Sequence, residues 1–207
     1  MKIQSPKIKY LEDKLIKDAI KDNEFNCINF KNDSNEKLVI KDVTIDSCVF
    51  DSIDLKNVIF ENVDFVDVIF KNVDLSFKNF NKRYFARVQF INSKLMACNF
   101  SNSTLKDIEI KECNCNYINL GDCKLTSVSF YNSTFVEASF LGCQIKNMDL
   151  NRIDFNKAEF YETSLVDVDF STCNIEGCKF DYKSIKGIII DMDQSHYLIG
   201  MLGVKIK

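Results

Sequence analysis

The side chains able to act as ligands, nucleophiles or proton carriers are one histidine, nine cysteines and 30 carboxylates in a chain of 207 residues. His196 stands near the C-terminus with no identifiable partner for general acid–base work. The cysteines contain no C-x2-C pair of the zinc type, and the six glycines form no phosphate-cradling loop. Cys48, Cys98, Cys113, Cys123, Cys143, Cys173 and Cys178 are instead separated by multiples of five. Such spacing belongs to a repeating backbone and not to a catalytic constellation, so no enzyme, no metal and no cofactor is expected.

The repeat is plain in residues 61–75, ENVDFVDVIFKNVDL, where Phe65, Phe70 and Leu75 each follow a valine by two places. On a helix, five residues turn the chain by about 500°, which scatters these side chains, and along a strand a step of five reverses the face. From Ile40 to Ile190 every fifth residue is Leu, Ile or Phe except Cys115, and 17 of the 18 phenylalanines fall at multiples of five, Phe77 being the exception. Residues two apart, such as Val63 and Phe65, share one side of a three-residue strand while Asp64 between them faces water. The remaining two positions must turn the chain. Asn62, Asp67, Asn72, Asn92, Asp107 and Asp167 share that turning phase, and Asn and Asp cap tight turns.

If each turn is roughly a right angle, four units close a coil, and residues n and n+20 stack about 4.8 Å apart. Phe60, Phe80 and Phe100 then stack, as do Phe140, Phe160 and Phe180. The cysteines occupy the small inward position as compact buried hydrophobes, with Cys123 and Cys143 on stacked coils. The expectation is an all-β solenoid, one domain over residues 1–207.

The unit resembles that of the pentapeptide-repeat proteins, A(D/N)LXX, in "NVDFV", "NVDLS" and "EASFL", over at least residues 40–190. That resemblance implies a right-handed quadrilateral β-helix. The tail "IKGIII" followed by "DMDQSHYLIGMLGVKIK" and the segment "DIEIKECNCNYINL" resemble the Qnr-type fluoroquinolone-resistance branch, and the opening "MKIQSPKI" resembles its Gram-positive chromosomal members. The branch dimerises through its C-terminal end. It implies, by DNA mimicry, a partner in DNA gyrase or topoisomerase IV. The unbroken register leaves no room for the two projecting loops that plasmid-borne members use to protect topoisomerases.

A solenoid needs caps at both ends. Residues 1–24 form an N-terminal cap, expected to be irregular or strand-like; residues 25–192 form the coils, with a loop near 31–37. At the C-terminus, Asp193 is expected to cap a short helix from Gln194 to Leu202, ended by Gly203, before a strand carrying Val204 and Ile206. Leu198, Met201, Leu202, Val204 and Ile206 are the expected dimer interface. Near 76–87, Lys78 and Arg83 fall on inward positions, where an unpaired cation is prohibitively costly. Either the wall bulges or these side chains escape to form, with Lys82 and Arg87, a basic patch.

The chain carries a net charge of −3 and a pI near 5.3, which gives no reason to expect direct nucleic-acid binding. Without a membrane-length apolar run or an apolar signal core, it is expected in the cytoplasm. Asp46, Asp54, Glu61, Asp64, Asp67, Asp74, Asp107 and Asp167 are the expected partner-binding acidic face. The competing reading is an interaction scaffold unconnected with topoisomerases.

Overall fold

The computed structural model describes residues 3–33 and 35–201, with the backbone only at Met201. The chain winds as a right-handed all-β solenoid of about 8 turns. Its register is that expected from the period: Asn29 pairs with Val49, Phe65 with Phe85, Val88 with Ile108, Leu125 with Ile145 and Phe160 with Phe180, all in parallel.

The odd period is resolved at the corners. From Asp42 to Gly187 the turning-phase residue has a positive φ at nearly every unit, including Asn62, Asp67, Asn72 and Asp107 at 52° to 55° and Asn92 at 45°. One left-handed residue per side turns the chain so that the next side also aims its bulky residue inward. The phase is not reserved for Asn, Asp and Gly. Phe77 (φ 64°) and Tyr117 (φ 61°) hold it too, at a cost of about 1–2 kcal/mol each.

Two walls carry continuous ladders: the strands Asp64–Lys71, Tyr84–Ile91, Thr104–Lys111 and Lys124–Tyr131 each bend at a positive-φ residue without breaking. The other two walls are tighter. There the N–H of Lys78, Cys98, Ser103 and Cys123 donates to the carbonyl three residues earlier, with a positive φ between, as type II turns demand.

The interior is aromatic. Phe30, Phe50, Phe70 and Phe90 form a column with centroids 4.5, 4.9 and 5.2 Å apart, and Phe140, Phe160 and Phe180 form another at 4.7 and 5.3 Å. Phe60, Phe80 and Phe100 also follow one another, but tilted by 37° and 34°. Leu105, Ile110, Cys115 and Leu120 make one buried layer without aromatics between these stacks.

The small inward position proves to be more than a space-filler. Sγ of Cys98, Cys123, Cys143 and Cys178 donates to the carbonyl 23 residues back, on the previous coil, at 2.9, 2.9, 3.1 and 2.9 Å. Ser103 does the same to Phe80 at 2.8 Å, and Thr163 to Phe140. Cys, Ser and Thr share a small side chain with one X–H donor, which they use where they hold this position, while donor-less residues such as Val63, Val88 and Ala138 fill it elsewhere.

Both ends are capped by helices. Strand β1 (Glu12–Leu15) pairs with β2 (Ile28–Lys31) at an offset of sixteen, Glu12 facing Ile28, because α1 (Ile16–Asp22) shortens the first coil. The irregular or strand-like cap expected from sequence holds for residues 3–15, and only α1 departs from it. Ile16 and Ala19 are buried against the first coil, a one-turn stripe that hides the open end, and Asn23 (φ 54°) closes the helix by donating its N–H to Ala19 and Ile20. At the other end the N-cap is Asp191, not Asp193. The Asp191 carboxylate accepts the Asp193 N–H at 3.0 Å while Gln194 Oε1 accepts the Asp191 N–H at 2.8 Å, a capping box opening a 3-10 turn (Met192–Gln194) that leads into α2 (Ser195–Met201). Leu202, Gly203, Val204 and Ile206 lie outside the described residues.

Burial pushes the thiols of Cys48, Cys98, Cys123, Cys143 and Cys178 up to about 12 and that of Cys113 up to about 11. The reactive thiolate is therefore scarce at pH 8. Only Cys27 is exposed. Iodoacetamide at pH 8 should modify roughly one thiol per native chain, at Cys27 by peptide mass spectrometry, and all nine after denaturation.

Candidate functional site

Since residues twenty apart share a wall, the eight expected contact acids can be placed on the rod by number alone. Asp54 and Asp74 share one wall. Asp46, Glu61, Asp64, Asp67, Asp107 and Asp167 belong to the opposite wall and its two corners. Along that second wall the exposed Lys106, Lys124 and Lys146 follow the acids. The acids therefore do not form one continuous face.

Their environments divide them further. Asp54 and Asp74 are exposed, and each uses one carboxylate oxygen to accept the N–H two residues on, from Lys56 at 2.8 Å and Ser76 at 2.9 Å. The same turn recurs at Asn79, Asn99, Asn114, Asp154 and Asp169, so the middle outward residue of a unit, and not only the turning-phase residue, is chosen for its side-chain acceptor. Lys94 lies 3.9 Å from Asp74. Burial raises the Asp74 carboxyl, but the Ser76 hydrogen bonds and the charges of Lys94 and Lys78 outweigh it and hold the group below the usual range. Glu61 and Asp167 are exposed. Asp46 and Asp64 are half-buried, accepting from Ser47 Oγ at 2.8 Å and from the Tyr84 N–H of the next coil at 2.8 Å.

Asp67 and Asp107 are a correction. They are only 6% and 5% exposed. Arg87, between them on the same corner, holds Asp67 in a bidentate pair at 2.6 and 2.7 Å. The N-terminal segment then lies over the corner: the Lys7 N–H donates to Asp67 at 2.8 Å and the Gln4 N–H to Asp107 at 3.2 Å. Burial raises the Asp67 carboxyl, but the Arg87 and Lys7 hydrogen bonds with the Arg87 charge prevail and hold it below the usual carboxylate range.

The four cations do not form one patch either. The wall keeps its register through Asp74–Lys94 and Asn79–Asn99, so there is no bulge. Lys78 keeps its stem along the wall and gives Nζ to the Val58 carbonyl at 2.7 Å, 5.9 Å above the Phe60 ring. Burial pushes its ammonium down, opposed by nearby groups including Asp74 and Asp54. Arg83 Nε donates to the Asn81 carbonyl at 3.2 Å, Lys82 is exposed, and Arg87 is consumed by Asp67.

Among the described residues no group of three or more His, Cys, Asp or Glu side chains is placed to hold a metal. His196 Nδ1 lies 2.7 Å from the Asp193 carbonyl on the exposed side of α2. Leu198 is half-buried against the core, and the other residues of the expected dimer interface have no described side chains. No helix among the described residues is long and apolar enough to cross a membrane.

Residues 63–140 and 119–190, together more than half of the chain, match the model of the pentapeptide repeat region. The chain belongs to the pentapeptide-repeat family. Among solved structures it is similar to a trypsin-treated form of QnrB1, a plasmid-mediated fluoroquinolone resistance protein, at 16% identity and a TM-score of 0.44, covering 95% of this chain and 90% of that one. It is also similar to HetL, a pentapeptide-repeat protein involved in heterocyst differentiation regulation from the cyanobacterium Nostoc sp. strain PCC 7120, at 12% identity and a TM-score of 0.35, covering 80% and 86%. These scores carry no functional argument. Among curated proteins none matches. Among the described residues, one element that departs from plain repetition is the Asp67–Arg87–Asp107 corner under the N-terminal segment.

Replacing Arg87 by Ala strands a buried carboxylate, at a cost of about 3 kcal/mol at pH 7 by urea unfolding. The native Asp67 pKa is depressed, so its stabilisation is complete above the unfolded value of about 3.9 and is lost as pH falls through the native one. The Arg87→Ala deficit should shrink below about pH 4; a deficit constant from pH 7 to pH 3 would count against this pair.

Proposed function

We propose that the protein is a non-enzymatic interaction protein that binds a type II topoisomerase, DNA gyrase or topoisomerase IV, through exposed carboxylates that imitate DNA, and so lowers fluoroquinolone sensitivity. The observation that carries this reading is the exposed Asp54–Asp74 pair stacked on one wall. Each aspartate is pinned by its own turn, so little side-chain freedom is lost on binding. Pinned negative charge at regular intervals along a rod is what a duplex-binding surface meets in DNA. The Qnr-like tail and central segment of the sequence support the choice of partner. Among the described residues the twenty-residue pairing runs from Leu38–Val58 to Asp169–Ile189, which favours inhibition of the enzyme over protection.

The test is DNA supercoiling and cleavage by purified gyrase, with and without a fluoroquinolone. The expected outcome is inhibition by the native chain and at least a tenfold loss of potency in the Asp54→Asn, Asp74→Asn double variant. No effect at several-fold molar excess over gyrase overturns the reading. Pairing of two rods through the C-terminal end belongs to the same proposal; a mass of one chain by light scattering removes it.

A second reading is a scaffold for another partner. The exposed Lys106, Lys124 and Lys146 favour it, because they interrupt the negative surface that a DNA mimic would extend.

A further inference from the structure

The N-terminal segment meets the rod in a way that specifies its conformation. Its two anchoring donors, the N–H groups of Gln4 and Lys7, are three residues apart, and their acceptors, Asp107 and Asp67, are two coils apart. In a β-strand, groups three residues apart point to opposite faces. In a polyproline II helix they point to the same face, because that helix has three residues per turn. Its rise of about 3.1 Å per residue carries the chain about 9.3 Å between the two donors. Two coils at about 4.8 Å span about 9.6 Å. The match in length and facing is independent of sequence, and sequence agrees with it: Pro6, the one proline of the chain, sits between the donors. Proline fixes φ in the required range, needs no acceptor, and drives Ser5 before it into the extended region.

The corner is suited to its guest. Asp67, Arg87 and Asp107 alternate in sign along the rod, and Arg87 neutralises one carboxylate while the segment covers both. Both anchoring donors are main-chain groups, so another segment of the same conformation presents the same pattern.

We propose that the Asp67–Arg87–Asp107 corner is a docking track for a polyproline II peptide running along the rod, with Gln4–Lys7 as its resident occupant. The ligand class is an extended segment with free N–H groups at positions i and i+3 and a proline between them. A partner carrying such a segment gains the track by displacing the chain's own N-terminus.

Amide hydrogen exchange by NMR on the full chain tests the conformation. Gln4 and Lys7 should exchange at least tenfold more slowly than Ser5, Asp107→Ala should release Gln4, and Pro6→Gly should release both. Protection of Ser5 equal to its neighbours, or slow exchange surviving Pro6→Gly, overturns the assignment. Occupancy by another chain is read by fluorescence anisotropy with a labelled peptide, MKIQSPKIKY. It should bind the full-length Pro6→Gly variant at least tenfold more tightly than the native protein, with unchanged melting of the rod. Absence of saturable binding to that variant overturns the docking track, whatever the gyrase assay shows.

Discussion

The structure depends on the fact that five is odd. A side of five residues can aim two of them inward only if one backbone position reverses the alternation, and the left-handed conformation does this once per side. Every other property follows. The coil closes at twenty residues, so identical positions stack, rings lie on rings, and backbone groups pair with the coils before and after. The cost of a left-handed residue is small beside what it permits: burying a phenylalanine is worth about 1.5–3 kcal/mol, and one such residue is admitted per side. This is why bulky Phe77 and Tyr117 are tolerated at corners where Asn or Gly would rest more easily.

The coil length, the inward positions and the fate of nearly all phenylalanines were legible in the sequence because one property, apolarity, is selected at one phase over thirty successive units. Polar positions were harder. Asp67 and Asp107 have the same local sequence context as exposed aspartates, and what buries them lies 60 and 103 residues away along the chain. No local rule contains that contact. The C-terminal cap is written in the sequence: "DMDQ" carries the Asp-x-x-Gln signature of a capping box with Asp191 first, whereas Asp193 has no Glu or Gln three residues on. Apolarity explains only half of why the cysteines occupy the small inward position. Ser93, Ser103, Ser133 and Thr163 share their phase, and a purely hydrophobic site would not accept hydroxyls. For Lys78 and Arg83 the sequence left two outcomes; the intact register of the neighbouring pairs decides between them, because a side chain can leave a wall more cheaply than a wall can leave its ladder.

The interior and the surface divide the labour. Thiols and hydroxyls that would suit catalysis are spent on carbonyls of the preceding coil, and acids at turn positions are spent on backbone N–H groups. Reactivity is thereby removed from the inside, and recognition is left to groups whose positions the coil fixes at intervals. Exposed pairs such as Lys71–Asp51 and Lys179–Glu159 add little stability, on the order of 0–1 kcal/mol each. They do set the pattern of charge that a partner meets.

The capping of the last coil has a consequence for length. A parallel stack offers its terminal carbonyls to any further layer, including one from another molecule. Gln194 takes two of them, donating Nε2 to Phe170 at 2.9 Å and to Cys173 at 2.6 Å. At the opposite end α1 covers the first layer. A backbone whose repeat could run on without limit is thus cut to a fixed measure, and the molecule becomes a ruler with two finished ends in place of a fibre.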